Sequence, residues 1–77
     1  MITLDEVADQ VRRSLRGRAS DLVLTEDTVL ADIGMSSLQI SEMLFRIEDE
    51  HDMEFNTARA AGVRTLGDIV LLGAEPD

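Results

Sequence analysis

Apolar residues recur along this chain mostly at helical spacing. Leu4, Val7, Ala8, Val11 and Leu15 stand at i, i+3, i+4, i+7 and i+11, one stripe of an amphipathic helix. Thr3 followed by Glu6 reads as a capping box, with Ile2 and Val7 as a hydrophobic staple around it. Asp5 and Glu6 in the first turn and Arg12, Arg13 and Arg16 in the last match the helix dipole, and Gly17 is a stop signal. These features predict a helix over 3–16. A second stripe of Ile40, Met43, Leu44 and Ile47 follows the capping box Ser36-x-x-Gln39, with Met35 and Ile40 as its staple. It predicts a helix from 36 to about 50, with Leu38, Ser41, Glu42, Phe45, Glu48 and Asp49 on other faces. Met53 and Phe55 read as extended. A short turn over 57–61 ends at Gly62. Thr65 caps a last helix over 65–73, with Leu66, Ile69, Val70 and Leu72 inward and Gly73 closing it, and residues 74–77 form a tail.

Residues 17–35 connect the first two helices. With Leu22, Leu24, Val29, Leu30 and Ile33 the segment is too apolar for a free linker, so it is expected to pack across the domain with a short turn at Thr25-Glu26-Asp27. No alternating strand pattern and no internal repeat is visible. The expectation is therefore all-α: one domain over 1–77, a small four-helix bundle of three main helices and one short one, with a long first loop.

Composition narrows what such a bundle could do. The 77 residues include 27 Val, Ile, Leu, Met and Phe, a generous supply for a core of this size. Seven arginines and no lysine face 16 acids, for a formal charge of −9. An excess of this sign argues against nucleic acid, which needs cations to replace phosphate counterions, and suits basic partners. The charge is uneven: net +1 over 1–19, net −9 over 20–56 and net −1 over 57–77. Without Cys there is neither a disulfide framework nor a thiolate metal site. Without Lys no biotinyl or lipoyl arm, Schiff base or P-loop lysine is possible. No apolar run reaches signal-peptide or membrane-span length, so a cytoplasmic protein is expected, and it is taken as a monomer. His51 stands in Glu48-Asp49-Glu50-His51-Asp52, which lacks the central glycine of a calcium loop. It reads as the solvated end of an acidic helix rather than a metal ligand. Self-contained catalysis has almost no inventory here.

The informative segment is Ile33-Gly34-Met35-Ser36-Ser37-Leu38. Gly34 permits a sharp turn into the second helix. One serine suffices as its cap, and Ser36 has the capping-box partner. Ser37 is left with a hydroxyl that capping does not need, in a first turn where free N–H groups and the dipole favour a phosphate. Here the chain resembles the acyl carrier proteins and their peptidyl-carrier relatives, whose signature is Leu-Gly-x-Asp-Ser-Leu with phosphopantetheine on the serine. Ser37 matches the modified residue and Leu38 the one after it. Ser36 stands where the family most often has Asp, which keeps the cap but removes a charge that partners read. The resemblance extends through Asp52-Met53-Glu54-Phe55 and Val63–Ile69, with His51 in place of a common apolar residue and Asn56 in place of a frequent Pro.

The resemblance implies a non-catalytic carrier of the bacterial, free-standing type. A phosphopantetheinyl transferase would move 4′-phosphopantetheine from coenzyme A to Ser37. The arm would then hold an acyl or aminoacyl group as a thioester. Partners would be that transferase, an acyl- or aminoacyl-loading enzyme, and synthase or transferase enzymes with basic patches. Glu42, Glu48 and Asp49, with Leu38 and Phe45, would form the docking face. Core packing is the equally simple reading of Leu38 and Phe45, and a solvated face that of the acids. The departure at Ser36 and the all-arginine basic set point to a polyketide or other specialised pathway rather than housekeeping fatty-acid synthesis. Two other classes remain open at this point. One is an acidic module or inhibitor that binds a basic enzyme and carries nothing. The other is a small calcium-binding protein using the acids of 48–54.

Overall fold

The computed structural model describes residues 2–16 and 22–74. In chain order it contains α1 (Leu4–Leu15), α2 (Ser37–His51), α3 (Thr57–Ala60) and α4 (Leu66–Ala74). The architecture is the all-α bundle that the apolar spacing predicts. A 3-10 turn over Leu30–Ile33, not foreseen, precedes α2.

Helix ends differ from expectation by one residue because capping residues stand half outside their helices. Thr3 and Arg16 cap α1, so the span 3–16 contracts to Leu4–Leu15. Ser36 is the N-cap of α2, which begins at Ser37 and runs through His51 rather than 36–50. Ala61 is the C-cap of α3, trimming 57–61 to Thr57–Ala60. The expected stop at Gly17 lies outside the described residues, as do positions 75–77 of the tail.

The C-terminal boundary departs for a different reason. Gly73 does not end α4, which includes it and continues to Ala74. A Cβ on Gly73 would fall 2.5 Å from Ile2 Cδ1 and 3.0 Å from Ile2 Cβ. The missing side chain lets the N-terminal segment lie against α4, where Ile2 is fully buried. Gly34 behaves as expected. It takes φ 91°, and its N–H bonds Ala31 O at 3.2 Å to end the 3-10 turn.

Two seams hold the helices. The α1–α4 seam is apolar, with Val7, Val11 and Leu15 in one core with Leu66, Ile69 and Leu72. Met43, Leu44 and Ile47 add the α2 face to the same core. The α1–α2 seam is polar. Gln10, 3% exposed, donates to both carboxylate oxygens of Glu50 (3.2 and 3.1 Å) and accepts from Arg46 Nε at 3.1 Å. Arg46 also donates to Ser14 Oγ at 2.6 Å. At the far end His51 Nε2 meets the Glu6 carboxylate. This corrects two readings: His51 is a half-buried tie between helices rather than a solvated end, and Glu6 turns to His51. Thr3 still accepts from Glu6 N–H (3.2 Å), so half of the expected box forms.

The long loop packs as its apolar residues require, with Leu30 fully buried. Leu22 and Val29 are covered only in part. The loop is stitched to the start of α4: Leu30 N–H donates to Arg64 O (2.8 Å), Leu66 N–H to Thr28 O (3.3 Å) and Gly67 N–H to Glu26 O (2.9 Å). Thr65 and Asp68 cap α4 reciprocally. Thr65 Oγ1 accepts from Asp68 N–H (3.1 Å), and Asp68 Oδ2 accepts from the N–H groups of Arg64 (2.9 Å) and Thr65 (3.0 Å).

Two stability predictions follow from this stitching. Gly67→Ala should gain up to about 1 kcal/mol of helix propensity. Its Cβ, however, would sit 2.9 Å from the Glu26 carbonyl oxygen, a backbone atom that cannot rotate away. The clash outweighs the propensity, and urea unfolding should show a net loss of about 1–3 kcal/mol. For Asp68, the N–H groups of Arg64 and then Thr65 hold the carboxyl below its ordinary value of 3.8. A depressed carboxyl adds stability above the ordinary value and loses it as pH falls through the lowered one. Wild type should therefore lose its stability advantage over Asp68→Asn on acidification below 3.8, read as converging melting midpoints.

Candidate functional site

The site is built at the start of α2. Gly34 turns the chain, Met35 drops into the core, and Ser36 adopts an extended conformation as N-cap. Ser36 Oγ accepts from Gln39 N–H at 3.1 Å, and Gln39 Oε1 accepts from Ser36 N–H at 2.9 Å, completing the capping box. The other end of the same amide, Gln39 Nε2, donates to Ser14 O at the end of α1 (3.3 Å). The first turn of α2 is thus anchored both to itself and to α1.

Ser37 is the first residue of that turn and is exposed. Among the described residues its hydroxyl takes no hydrogen bond, and the N–H groups of Ser37 and Leu38 find no acceptor. A fixed backbone, a spare hydroxyl and two unsatisfied donors at the positive end of a 15-residue helix are therefore combined at one point.

Leu38 and Phe45, which core packing could have claimed, are 67% and 70% exposed. Glu42 and Asp49 are exposed as well. Each pair is seven residues apart, so Leu38 with Phe45 and Glu42 with Asp49 form adjacent rows down the outer face of α2. Glu48 differs. It is half-buried, and its Oε2 accepts from Phe55 N–H at 2.7 Å, clamping the chain that leads into α3.

Beside the outer face, a groove of about 430 Å³ runs between α2 and α3, with Ser37 in its wall. Leu44, Phe45, Phe55, Ala60 and Val63 give it apolar surface, and Ser41, Thr57 and Glu48 give it polar points. Sequence reasoning did not single out Ser41, Thr57, Ala60 or Val63. The only local signal was Asn56, whose Oδ1 accepts from Arg59 N–H (3.1 Å) and starts α3 beside α2. Among the described residues no three His, Asp or Glu side chains gather as metal ligands. No described helix is long and apolar enough to cross a membrane.

Comparison with known proteins bears on this geometry. The family described as "Phosphopantetheine attachment site" matches residues 5–72. An acyl carrier protein of Clostridium perfringens is 38% identical over 50 residues, which span 65% of this chain and 66% of that protein. An acyl carrier protein of Campylobacter fetus is 30% identical over 70 residues, 91% of this chain and 90% of that protein. A solved structure from Mycobacterium tuberculosis, titled as a candidate acyl carrier protein, superposes with a TM-score of 0.80 at 28% identity, covering 92% and 93% of the two chains.

The residues at the start of α2 fit the group that this family carries. A phosphate ester on the exposed Ser37 hydroxyl displaces no internal bond, and the unsatisfied N–H groups of the first turn favour its charge. Division of labour between the two serines is directly testable. Ser36→Ala removes the bond to Gln39 N–H and should cost about 0.5–2 kcal/mol in thermal or urea unfolding, while Ser37→Ala should cost far less. An unchanged melting temperature in Ser36→Ala would refute the cap.

Proposed function

Because the chain belongs to the phosphopantetheine-attachment family of acyl carrier proteins, we propose that it is a non-catalytic carrier of acyl or aminoacyl groups, with Ser37 as its point of attachment. The observation that carries this reading is the pairing of Ser36, committed to the cap, with Ser37, exposed and uncommitted. The family's group is 4′-phosphopantetheine, whose terminal thiol holds cargo as a thioester. It supplies the nucleophile that a chain without Cys or Lys lacks.

This chain's own residues do three things. Ser37 supplies the oxygen that bonds to the pantetheine-bearing phosphorus of coenzyme A; the pyrophosphate P–O bond breaks, adenosine 3′,5′-bisphosphate leaves, and the transferase accepts the hydroxyl proton. The first turn of α2 holds that oxygen in place and favours the anion through its free N–H groups. The groove between α2 and α3 offers apolar surface one step from Ser37, where a tethered acyl group would be shielded from water.

Partner recognition falls to the outer face of α2. Leu38 and Phe45 offer apolar contact, and Glu42 and Asp49 offer charge to basic patches on a transferase, a loading enzyme or a synthase. Such charges raise the encounter rate and are screened by salt. Glu48 contributes to the same face while also clamping Phe55 N–H. Ser36 in place of the usual Asp lowers the charge at the attachment site, which supports a polyketide or other specialised pathway. We take the cytoplasm as its working place and the monomer as its working form.

The test is intact-protein mass spectrometry after incubation with coenzyme A and a broad-specificity phosphopantetheinyl transferase. Wild type should gain the mass of one phosphopantetheine, mapped to Ser37 by peptide analysis, and Ser37→Ala should gain none. An unmodified wild type, or equal modification of Ser37→Ala, would overturn the assignment.

A further inference from the structure

On the side of α2 that faces α1, a mainly polar cleft of about 550 Å³ is lined by Arg13, Ser14, Leu15, Arg16, Gln39, Glu42 and Arg46. Three of these seven are arginines, in a chain whose net charge is −9. None of the three has a carboxylate partner among the described residues. Arg46 is half-buried and held by neutral groups, Gln10 Oε1 at 3.1 Å and Ser14 Oγ at 2.6 Å. Those bonds use two of its five N–H donors and fix the guanidinium plane, leaving the others to the cleft. Arg13 and Arg16 are exposed on the end of α1. Gln39 has both ends of its amide engaged, so it shapes the wall without competing for a ligand.

We propose that this cleft is a docking site for an acidic segment of a partner protein, whose Asp or Glu carboxylates meet Arg13, Arg16 and Arg46. Charge complementarity identifies the occupant. Guanidinium forks pair bidentately with carboxylates, and Arg46 is already oriented to do so. Phosphate chains are disfavoured because a nucleic acid crossing the cleft would run on into the acids of 20–56. Glu42 stands at the α2 rim and turns an entering carboxylate towards α1. Gln39 and Arg46 form the row next to Glu42 and Asp49 on α2. A partner spanning both rows would therefore present basic and acidic side chains in a set order, and a uniformly basic surface would meet repulsion from the arginines.

The experiment is an NMR titration at low salt of the unmodified protein, in the Ser37→Ala background, following the arginine side-chain Nε–H signals. The probe is an end-blocked triglutamate peptide, with blocked triglutamine and inorganic pyrophosphate as separate arms. Triglutamate should give saturable shifts at Arg13, Arg16 and Arg46. Triglutamine should give none, and Arg13→Gln or Arg16→Gln should each weaken binding about tenfold. Both substituted side chains are exposed, and circular dichroism checks that the variants stay folded. Absent or unsaturable shifts, or equal shifts at Arg59 and Arg64, would overturn the proposal. Binding of pyrophosphate without triglutamate would also overturn it and assign the cleft to a phosphate ligand. Because Ser37 is absent throughout, the result is independent of whether the carrier reading holds.

Discussion

The side chain of Gln39 joins the parts of this molecule on which its use depends. Its carbonyl oxygen closes the capping box at Ser36, and its amide nitrogen reaches the last turn of α1 at Ser14 O. One residue thereby sets where α2 begins and where that beginning lies relative to α1. Ser37 inherits its position from both bonds, although its own side chain takes part in neither. Cap bonds of this kind are worth about 0.5–2 kcal/mol, a large share of the stability of a domain this small.

Below that joint the α1–α2 seam continues as a chain of polar contacts. Ser14, Arg46, Gln10 and Glu50 are linked in sequence, and His51 with Glu6 closes the line. Apolar contacts would hold two helices as firmly but would tolerate a slide, whereas a part-buried polar network centred on the buried Gln10 is satisfied in one register only. The α1–α4 seam is apolar and supplies bulk burial. A bundle secured on two sides leaves the outer face of α2 free for Leu38 and Phe45 to remain exposed, at a cost that a partner could recover. The opposite wall is weaker. A four-residue helix cannot stand alone, so α3 relies on the Asn56 cap, on the Glu48 clamp at Phe55 and on packing against α4 through Ala60. The groove thus has a 15-residue helix for one wall and a four-residue helix for the other.

The division between what was legible in the sequence and what was not follows the range of each interaction. Capping residues act within three positions of themselves, so Thr3, Ser36 and Thr65 were legible as helix starts, and the choice of Ser37 over Ser36 for chemistry followed from the box with Gln39; the Asn56 cap of α3 was not read. Helical stripes located Val7, Val11, Met43, Ile47, Leu66 and Ile69 because burial on one face has a period. Periodicity could not decide Leu38 and Phe45, since it says only that they lie off the stripe. Contacts between distant segments left no local trace. Nothing near Gly67 or Gly73 announces the Glu26 carbonyl or Ile2, and an acidic run gives no hint that its histidine reaches across to Glu6. Glu48 looked like its acidic neighbours because its bond to Phe55 N–H depends on how the chain turns after Asp52.

The same structure explains why so many charges coexist with so little pairing. Arg12, Arg13, Arg16 and Arg46 have no carboxylate partner among the described residues, although the chain carries 16 acids. Exposed ion pairs would each add only about 0–1 kcal/mol, so folding loses little by keeping the signs apart. An unpaired charge keeps its field, which extends about 8–10 Å into a physiological salt solution. Acids on the outer face of α2 and arginines along its α1 side therefore give the molecule a charge pattern rather than a charge. A pattern can orient an encounter as well as accelerate it, because turning the molecule about the α2 axis brings opposite signs together in only one arrangement. For a protein whose chemistry belongs to a tethered group, presenting Ser37 in the right orientation is the contribution the fold itself can make.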